Sequence, residues 1–231
     1  MISGKRIAVI IPAFNEEGSL PHVLADIPDF VDEIIVANNG STDNTIEIAK
    51  KAGVTVVNED EKGYGAACLK AIEEIKNKNF DIVVFLDGDY SDYPEEMNFV
   101  VDPIIKDDCD LVIGSRMIGA REDGAMLPQA IFGNWLAPFL INVLWKYKFT
   151  DLGPFRAIKY SSLLKLNMQD RNFGWTVEMQ IKAAKQKLKT TEVPVSYRKR
   201  IGKSKVTGTL KGSVKASAKI LYLIFISVFK D

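Results

Sequence analysis

A parallel, doubly wound α/β sheet is the fold this sequence predicts, and three observations predict it. Short, continuously apolar runs such as residues 6–11 (RIAVII) read as strands buried on both faces. These runs alternate with helical segments as far as residue 113. Polar and turn-forming residues gather where the runs end, and in open α/β sheets ligands bind at the carboxyl ends of the strands.

Taken in order, residues 6–11 form the first strand and Pro12 closes it. Ser19-Leu20-Pro21 reads as the N-cap and first turn of a helix running to about Ile27. Residues 33–37 (EIIVA) are the second strand, followed by a helix over 42–52 that Gly53 closes. Residues 54–57 are the third strand, and the helix after it, 63–78, puts Ala67, Ala71 and Ile75 on one face. Residues 81–86 form the fourth strand, 94–106 a helix and 110–113 the fifth strand. The pattern then changes. Residues 129–149 are a long aromatic-rich helix interrupted at Gly133-Asn134, 175–186 another helix, and 190–197 (TTEVPVSY) a late strand. A basic loop over 198–205 leads to a closing helix from about 209 to 229. No repeat or low-complexity linker divides the chain. The expectation is one core shared by residues 1–115 and 116–205, with 206–231 as a terminal amphipathic helix.

Lysine plus arginine equals aspartate plus glutamate, 30 each, so net charge gives no basis for nucleic-acid binding. Cys68 and Cys109 lack CxxC spacing, which argues against a zinc site or a disulfide framework. They read as small core residues in a cytoplasmic setting. His22, the single histidine, falls in the first helix away from every motif and reads as surface. The start of the chain has no charged-then-apolar leader. The apolar run at 220–226 is far shorter than the roughly 20 residues needed to span a bilayer.

The chemistry concentrates in Asp87-Gly88-Asp89, where the fourth strand ends. A turn explains the glycine but does not require a carboxylate on each side of it. Two carboxylates so placed can hold Mg²⁺ or Mn²⁺ together with substrate phosphates. The first strand ends in Pro12-Ala13-Phe14-Asn15-Glu16, suited to lining a nucleotide pocket, with Glu16 as an acceptor; helix-dipole complementarity is the plainer explanation for the acids. The second ends in Asn38-Asn39-Gly40-Ser41, explained largely by turn and cap chemistry. Gly63 and Gly65 open a helix and suit close approach to an anion, although the spacing is neither a dinucleotide-binding nor a Walker motif. In the loop after residue 197, Arg198, Arg200, Lys203 and Lys205 are interleaved with Gly202 and Ser204, which suits folding over phosphate oxygens.

In this order the motifs resemble the family 2 glycosyltransferases of the GT-A fold, over residues 5 to about 205. They are PAFNEE, NNGSTD, KGYG, DGD with its DYP tail, GSR and RIGKSK. The branch that loads mannose or glucose onto dolichyl phosphate is the most similar. The resemblance implies that Pro12, Ala13, Phe14, Glu16, Ala37, Asn38 and Asn39 contact the donor nucleoside, with Gly63 and Gly65 beside it. It implies that Asp87, Gly88 and Asp89 hold metal and diphosphate, and that Arg116, Arg200 and Lys205 bind phosphates. Ser115, Arg156, Glu178, Arg198 and Ser204 fall to the acceptor side. Asp89, Glu178 and Arg200 would carry the catalytic roles, Glu178 as base if the acceptor is a hydroxyl. The family usually has an aspartate where Asn38 stands, and often at Asn39. The basic loop is one residue shorter than in mannose synthases, so Arg198 competes with Arg200 for the phosphate role.

The implied reaction is transfer of a sugar from a nucleotide-diphosphate sugar to a polyprenyl phosphate by one inverting displacement. A saccharide hydroxyl is the alternative acceptor. A nucleotidyltransferase leaves the basic loop unexplained, and a non-catalytic nucleotide-sugar binder leaves the intact acidic motif unexplained. In the last helix, Leu210, Val214, Leu221, Phe225 and Val228 share one stripe and Lys211, Lys215 and Lys219 another. That pattern suits peripheral membrane contact from the cytoplasmic side, or packing on the sheet or on a second subunit of a homodimer.

Overall fold

The computed structural model describes residues 1–202 and 210–229. Its centre is a seven-stranded sheet in the order β3-β2-β1-β4-β6-β5-β7. The strands are β1 (Ile7–Ala13), β2 (Glu33–Asn38), β3 (Thr55–Asn58), β4 (Ile82–Phe85), β5 (Leu111–Ser115), β6 (Arg156–Lys159) and β7 (Thr190–Pro194). β1 pairs in parallel with β2 and β4, and β5 in parallel with β7. β6 is antiparallel to both its neighbours, β4 and β5. The mostly parallel sheet is as expected, with one strand the sequence reading lacks. β6 is only four residues, RAIK, with charges at both ends, so it shows neither an apolar run nor alternation. The short helix after it, α6 (Tyr160–Leu166), was equally silent.

Helices cover both faces of the sheet. α1 (Leu20–Asp26), α2 (Thr45–Lys51) and α4 (Met97–Lys106) lie on one, where Val9, Ile11, Leu20, Ala49, Val84 and Val100 form a buried cluster. On the other lie α3 (Tyr64–Ile75), α5 (Pro128–Trp145), α6, α7 (Trp175–Lys185) and α8 (Leu210–Phe229). There Ile10, Phe85, Ala71, Ile141, Trp175 and Ile224 pack together, Phe85 meeting Trp175 edge-on at 5.8 Å between ring centres. Consecutive strand residues feed the two clusters alternately, the period of two expected of strands buried on both sides.

Several boundaries move. α2 starts at Thr45 rather than 42, and Thr42 N–H, ahead of it, donates to Asn15 Oδ1 at 2.8 Å. Ser19 is the N-cap of α1, but its hydroxyl donates to Glu16 Oε2 instead of capping. α5 runs unbroken through Gly133-Asn134, with Asn134 buried, and ends where Lys146 turns left-handed at φ 60°. Cys68 and Cys109 are buried and free, and His22 is exposed, its ring 5.2 Å from that of Tyr90.

The two glycines opening α3 have a different duty from the one expected. A Cβ on Gly63 would sit 2.0 Å from the Arg171 carbonyl oxygen, and one on Gly65 1.9 Å from that of Asp170. Ala66 N–H donates to Arg171 O at 2.9 Å and Gly65 N–H to Asn172 O at 3.3 Å. The helix N-terminus is thus capped by protein carbonyls, and the close approach is to the 170–172 backbone rather than to an anion. The clash involves backbone that cannot rotate aside. Gly65→Ala should therefore destabilise the protein by about 1–3 kcal/mol or more, read as a lower midpoint in urea unfolding at unchanged m-value.

Candidate active site

The carboxyl ends of β1, β2, β4 and β5 meet at one edge of the sheet. Gly88 sets β4's turn against β1: a Cβ there would lie 3.3 Å from Ile11 Cγ2, 3.5 Å from Pro12 O and 3.6 Å from Glu16 Cγ. The acidic turn and the PAFNEE segment are therefore in contact. Asp89 is buried, and its Oδ1 accepts from Ser91 N–H at 2.9 Å and Ser91 Oγ at 2.5 Å. Its Oδ2 receives Arg200 Nη1 at 2.9 Å, and Arg200 Nη2 stands 3.5 Å from Glu16 Oε1. The structure thus joins four sequence-predicted residues, Glu16, Gly88, Asp89 and Arg200. Asp87 is half-buried, yet its Oδ1 is sealed from solvent without a partner. Burial, then the adjacent Asp89 charge, pushes the Asp87 carboxyl up to about 7.

At the β2 end, both asparagines are engaged with protein. Asn38 Nδ2 donates to Asn58 Oδ1 at 2.8 Å, and its Oδ1 accepts Ser41 N–H at 3.0 Å. Asn39 Nδ2 donates to the Glu59 and Glu61 carbonyls at 3.1 and 2.8 Å, and its Oδ1 accepts Gly63 N–H at 2.7 Å. Asn39 therefore staples the 59–63 loop and shapes the pocket instead of offering its amide to a base. Phe14 is partly buried with Lys62 Nζ 5.4 Å from its ring centre, and Pro12, Ala13 and Ala37 form the adjoining strand ends.

The basic loop divides its arginines. Arg198 lies between the rings of Tyr90 and Tyr93, its guanidinium carbon 3.4 and 4.0 Å from their centres. It also donates to Tyr90 O at 2.8 Å and Asp92 O at 3.1 Å. It rivets the loop to the acidic turn, which removes it from acceptor binding and leaves Arg200 the inward-facing arginine. Ser204 and Lys205 lie outside the described residues.

Four further predicted residues are engaged with protein partners. Arg116 is committed to Asp151 through two parallel bonds, Nε–Oδ2 at 2.8 Å and Nη2–Oδ1 at 2.7 Å, so its fork is not open to phosphate. Ser115 is fully buried with Oγ 2.7 Å from Thr150 Oγ1. Arg156 has no exposed surface and donates to the carbonyls of Leu152, Gly153 and Thr176. Burial holds it down at about 10, and it fixes the turn before β6 rather than an acceptor. Glu178 accepts Gln169 N–H at 2.9 Å and Asp170 N–H at 2.7 Å and pairs with Lys182 at 2.7 Å, which leaves it no place as a general base.

The glycosyl transferase family 2 profile matches residues 8–166. An uncharacterised glycosyltransferase of Mycobacterium tuberculosis is 34% identical over 217 residues, 93% of this chain and 96% of that protein. The chain belongs to glycosyl transferase family 2. A dolichyl-phosphate hexose transferase of Haloferax volcanii is 32% identical over 206 residues, 87% of this chain and 86% of that protein. A UDP-N-acetylglucosamine–dolichyl-phosphate N-acetylglucosaminyltransferase of Methanococcus voltae is 30% identical over 216 residues, covering 84% and 86%. The fold is that of crystalline glucosyl-3-phosphoglycerate synthase of M. tuberculosis, solved with Mn²⁺, UDP and glucosyl-3-phosphoglycerate, at a TM-score of 0.76. That match has 23% identity and covers 97% of this chain and 80% of the other. The GT-A architecture is thereby established for this glycosyltransferase.

Its site also contains residues to which sequence reading assigns no catalytic role; Asp92 reads there only as a candidate for the metal's outer shell or for the turn before Pro94. Asp151 is buried and anchors Arg116; the sequence marks it only as the start of the DLGPFR segment after the long helix. Tyr64, whose buried hydroxyl faces the Asp87 carboxyl and favours its charged form, was visible only as part of KGYG. Asp92 is buried with both carboxylate oxygens unpartnered, and burial, then Asp87, pushes it well above the usual carboxylate range. Among the described residues no group of three or more His, Cys, Asp or Glu side chains is placed to hold a metal alone. The orphaned Asp87 Oδ1 beside Asp89 nevertheless fits a divalent cation that takes its other ligands from donor phosphates.

Asp87's folded value of about 7 stands above its ordinary 3.8. Its protonated form therefore favours the folded state at low pH, and that contribution is lost as pH rises towards 7. Asp87→Asn should raise the melting temperature of the metal-free protein. The gain should grow from about pH 4 to about pH 7 and then level off at a few degrees, as measured by calorimetry in chelator.

Proposed function

We propose that this glycosyltransferase moves a sugar from a nucleotide-diphosphate sugar to a polyprenyl phosphate, by a single inverting displacement assisted by Mg²⁺ or Mn²⁺. The observation that carries the donor half is the acidic turn, with the orphaned Asp87 Oδ1 beside Asp89 and Arg200 above it. Asp87 and Asp89 would hold the cation, which supplies Lewis-acid neutralisation of the departing diphosphate. Arg200 would exchange its Asp89 contact for a phosphate oxygen as negative charge develops there. Pro12, Phe14 and the strand ends at Ala37 and Asn39 would enclose the nucleoside.

Two observations support the acceptor half. Relatives at 30–32% identity, matched along most of both chains, are named for transfer to dolichyl phosphate. The base suggested for a hydroxyl acceptor, Glu178, is consumed by backbone bonds, and a phosphate acceptor is already anionic and needs none. With the acceptor in a membrane, the enzyme would work at the cytoplasmic face. A second reading, transfer to a hydroxyl, would rest on Asp92, whose two oxygens are unpartnered but which would have to give up its own proton before serving as base.

Incubating the enzyme with membranes and labelled nucleotide sugars, then extracting lipid, should recover labelled lipid-linked sugar only with Mg²⁺ or Mn²⁺ present. Asp89→Ala should cut that transfer by at least about 100-fold and abolish stabilisation by donor plus Mn²⁺ in thermal-shift assays. Retention of metal-dependent transfer by Asp89→Ala would overturn the metal assignment. Asp92→Asn separates the acceptors: transfer to a phosphate should fall less than about tenfold, whereas loss of a base for a hydroxyl costs about 10²–10⁴-fold.

A further inference from the structure

The α5–α8 layer has an apolar outer face that the core does not use. On α5, Phe132, Trp135, Phe139 and Val143 are 59%, 55%, 49% and 60% exposed. Their spacing of three, four and four residues puts them in one stripe, opposite the buried Asn134, Ala137, Pro138 and Ile141. Trp135 and Phe139 stack on each other at 5.6 Å with 9° between ring planes, so the stripe is preformed. α8 packs on α5 and α7 through Ala216, Ile220, Leu223 and Ile224. Its Val214, Phe225 and Val228 stand away from that contact, exposed. Of the alternatives the sequence leaves for α8, packing on protein holds for one apolar side, while a second side is exposed.

Charge indicates what covers this face. Neither α5 nor α8 contains an aspartate or glutamate. Lys146 and Lys148 follow the end of α5 and Lys215 flanks the α8 stripe, all three exposed. A second copy laid on the same face would set lysine against lysine, with no carboxylate on either helix to receive it. An aromatic stripe rimmed by lysines instead matches the boundary of an anionic bilayer, where tryptophan and phenylalanine enter the acyl edge and lysines meet the headgroups. Among the described residues no helix is long and apolar enough to cross a membrane, so contact through these helices would be along their sides. α5 follows the Arg116 loop and α8 follows the Arg200 loop, which tethers the face to both halves of the site.

We propose that the outer faces of α5 and α8 form a docking surface for an anionic lipid bilayer. The inference rests on the polyprenyl-phosphate reading for its purpose, since a lipid acceptor is met at a bilayer, and on its own residues for its location. The test is co-sedimentation of the full chain with phosphatidylglycerol-containing vesicles and with neutral phosphatidylcholine vesicles. The protein should pellet with the first, release in high salt, and shift its tryptophan emission to the blue. Trp135→Glu/Phe139→Glu should weaken partitioning by about tenfold or more while leaving the melting temperature unchanged, because both side chains are exposed. Phe225→Glu on the other helix should act in the same direction. Equal pelleting of wild type and variants, or a wild-type dimer in light scattering that these substitutions dissociate, would overturn the surface. Transfer to a detergent-solubilised polyprenyl phosphate is measured alongside. Transfer without vesicle binding overturns the surface alone, and vesicle binding without transfer overturns the acceptor alone.

Discussion

Burying carboxylates at the end of β4 is the constraint on which the rest of this site depends. Asp87, Asp89 and Asp92 fall within one turn, and an unpaired buried charge is far more costly than a buried polar group. Each is handled differently. Asp89 is paired with Arg200 and hydrogen bonded by Ser91. Asp87 and Asp92 have no such partner at their orphaned oxygens, and both are pushed towards the protonated form. A site that pairs one carboxyl group with an arginine and leaves the others with unpartnered oxygens is suited to a cation that arrives with its substrate.

The surrounding architecture keeps that turn in place. The 197–201 segment docks on it from the far end of the chain. Arg198 N–H donates to Ser91 O and Ile201 N–H to Asp89 O, at 2.9 and 3.0 Å, and the Arg198 side chain is clamped between two tyrosines. On the other side, Asp170 accepts Gly174 N–H and pairs with Lys219 of α8, while Glu178 holds residues 169 and 170. The same 170–172 backbone caps α3 beside Asn39. Polar side chains that look functional in sequence are thus largely spent on fixing loops, whereas Arg200 is paired with the acidic turn itself. Holding reacting groups in place beforehand is what makes electrostatic catalysis effective.

Much of the fold and part of the site could be read from the residues alone. Runs such as IAVIIPA and IVVF can be little else than strands buried on both faces, and the polar residues at their ends mark the ligand edge. The acidic turn was legible because its two carboxylates exceed what a turn requires. β6 was not legible: four residues with charged ends carry no periodic signal, and only its pairing with β4 and β5 makes it a strand.

The sequence by itself determined the α/β alternation, the parallel sheet and the place of the acidic motif, because these follow from local periodicity and from the chemistry at strand ends. Only the tertiary structure decided which partner each of several similar side chains meets. Arg116, Arg156, Arg198 and Arg200 are alike in sequence. They differ because Asp151, three backbone carbonyls, two tyrosine rings and Asp89 respectively receive them. Apart from the carbonyls of Leu152 and Gly153, which lie just before Arg156, those partners come from distant parts of the chain, and no local pattern encodes a contact that exists only once the chain has closed around it.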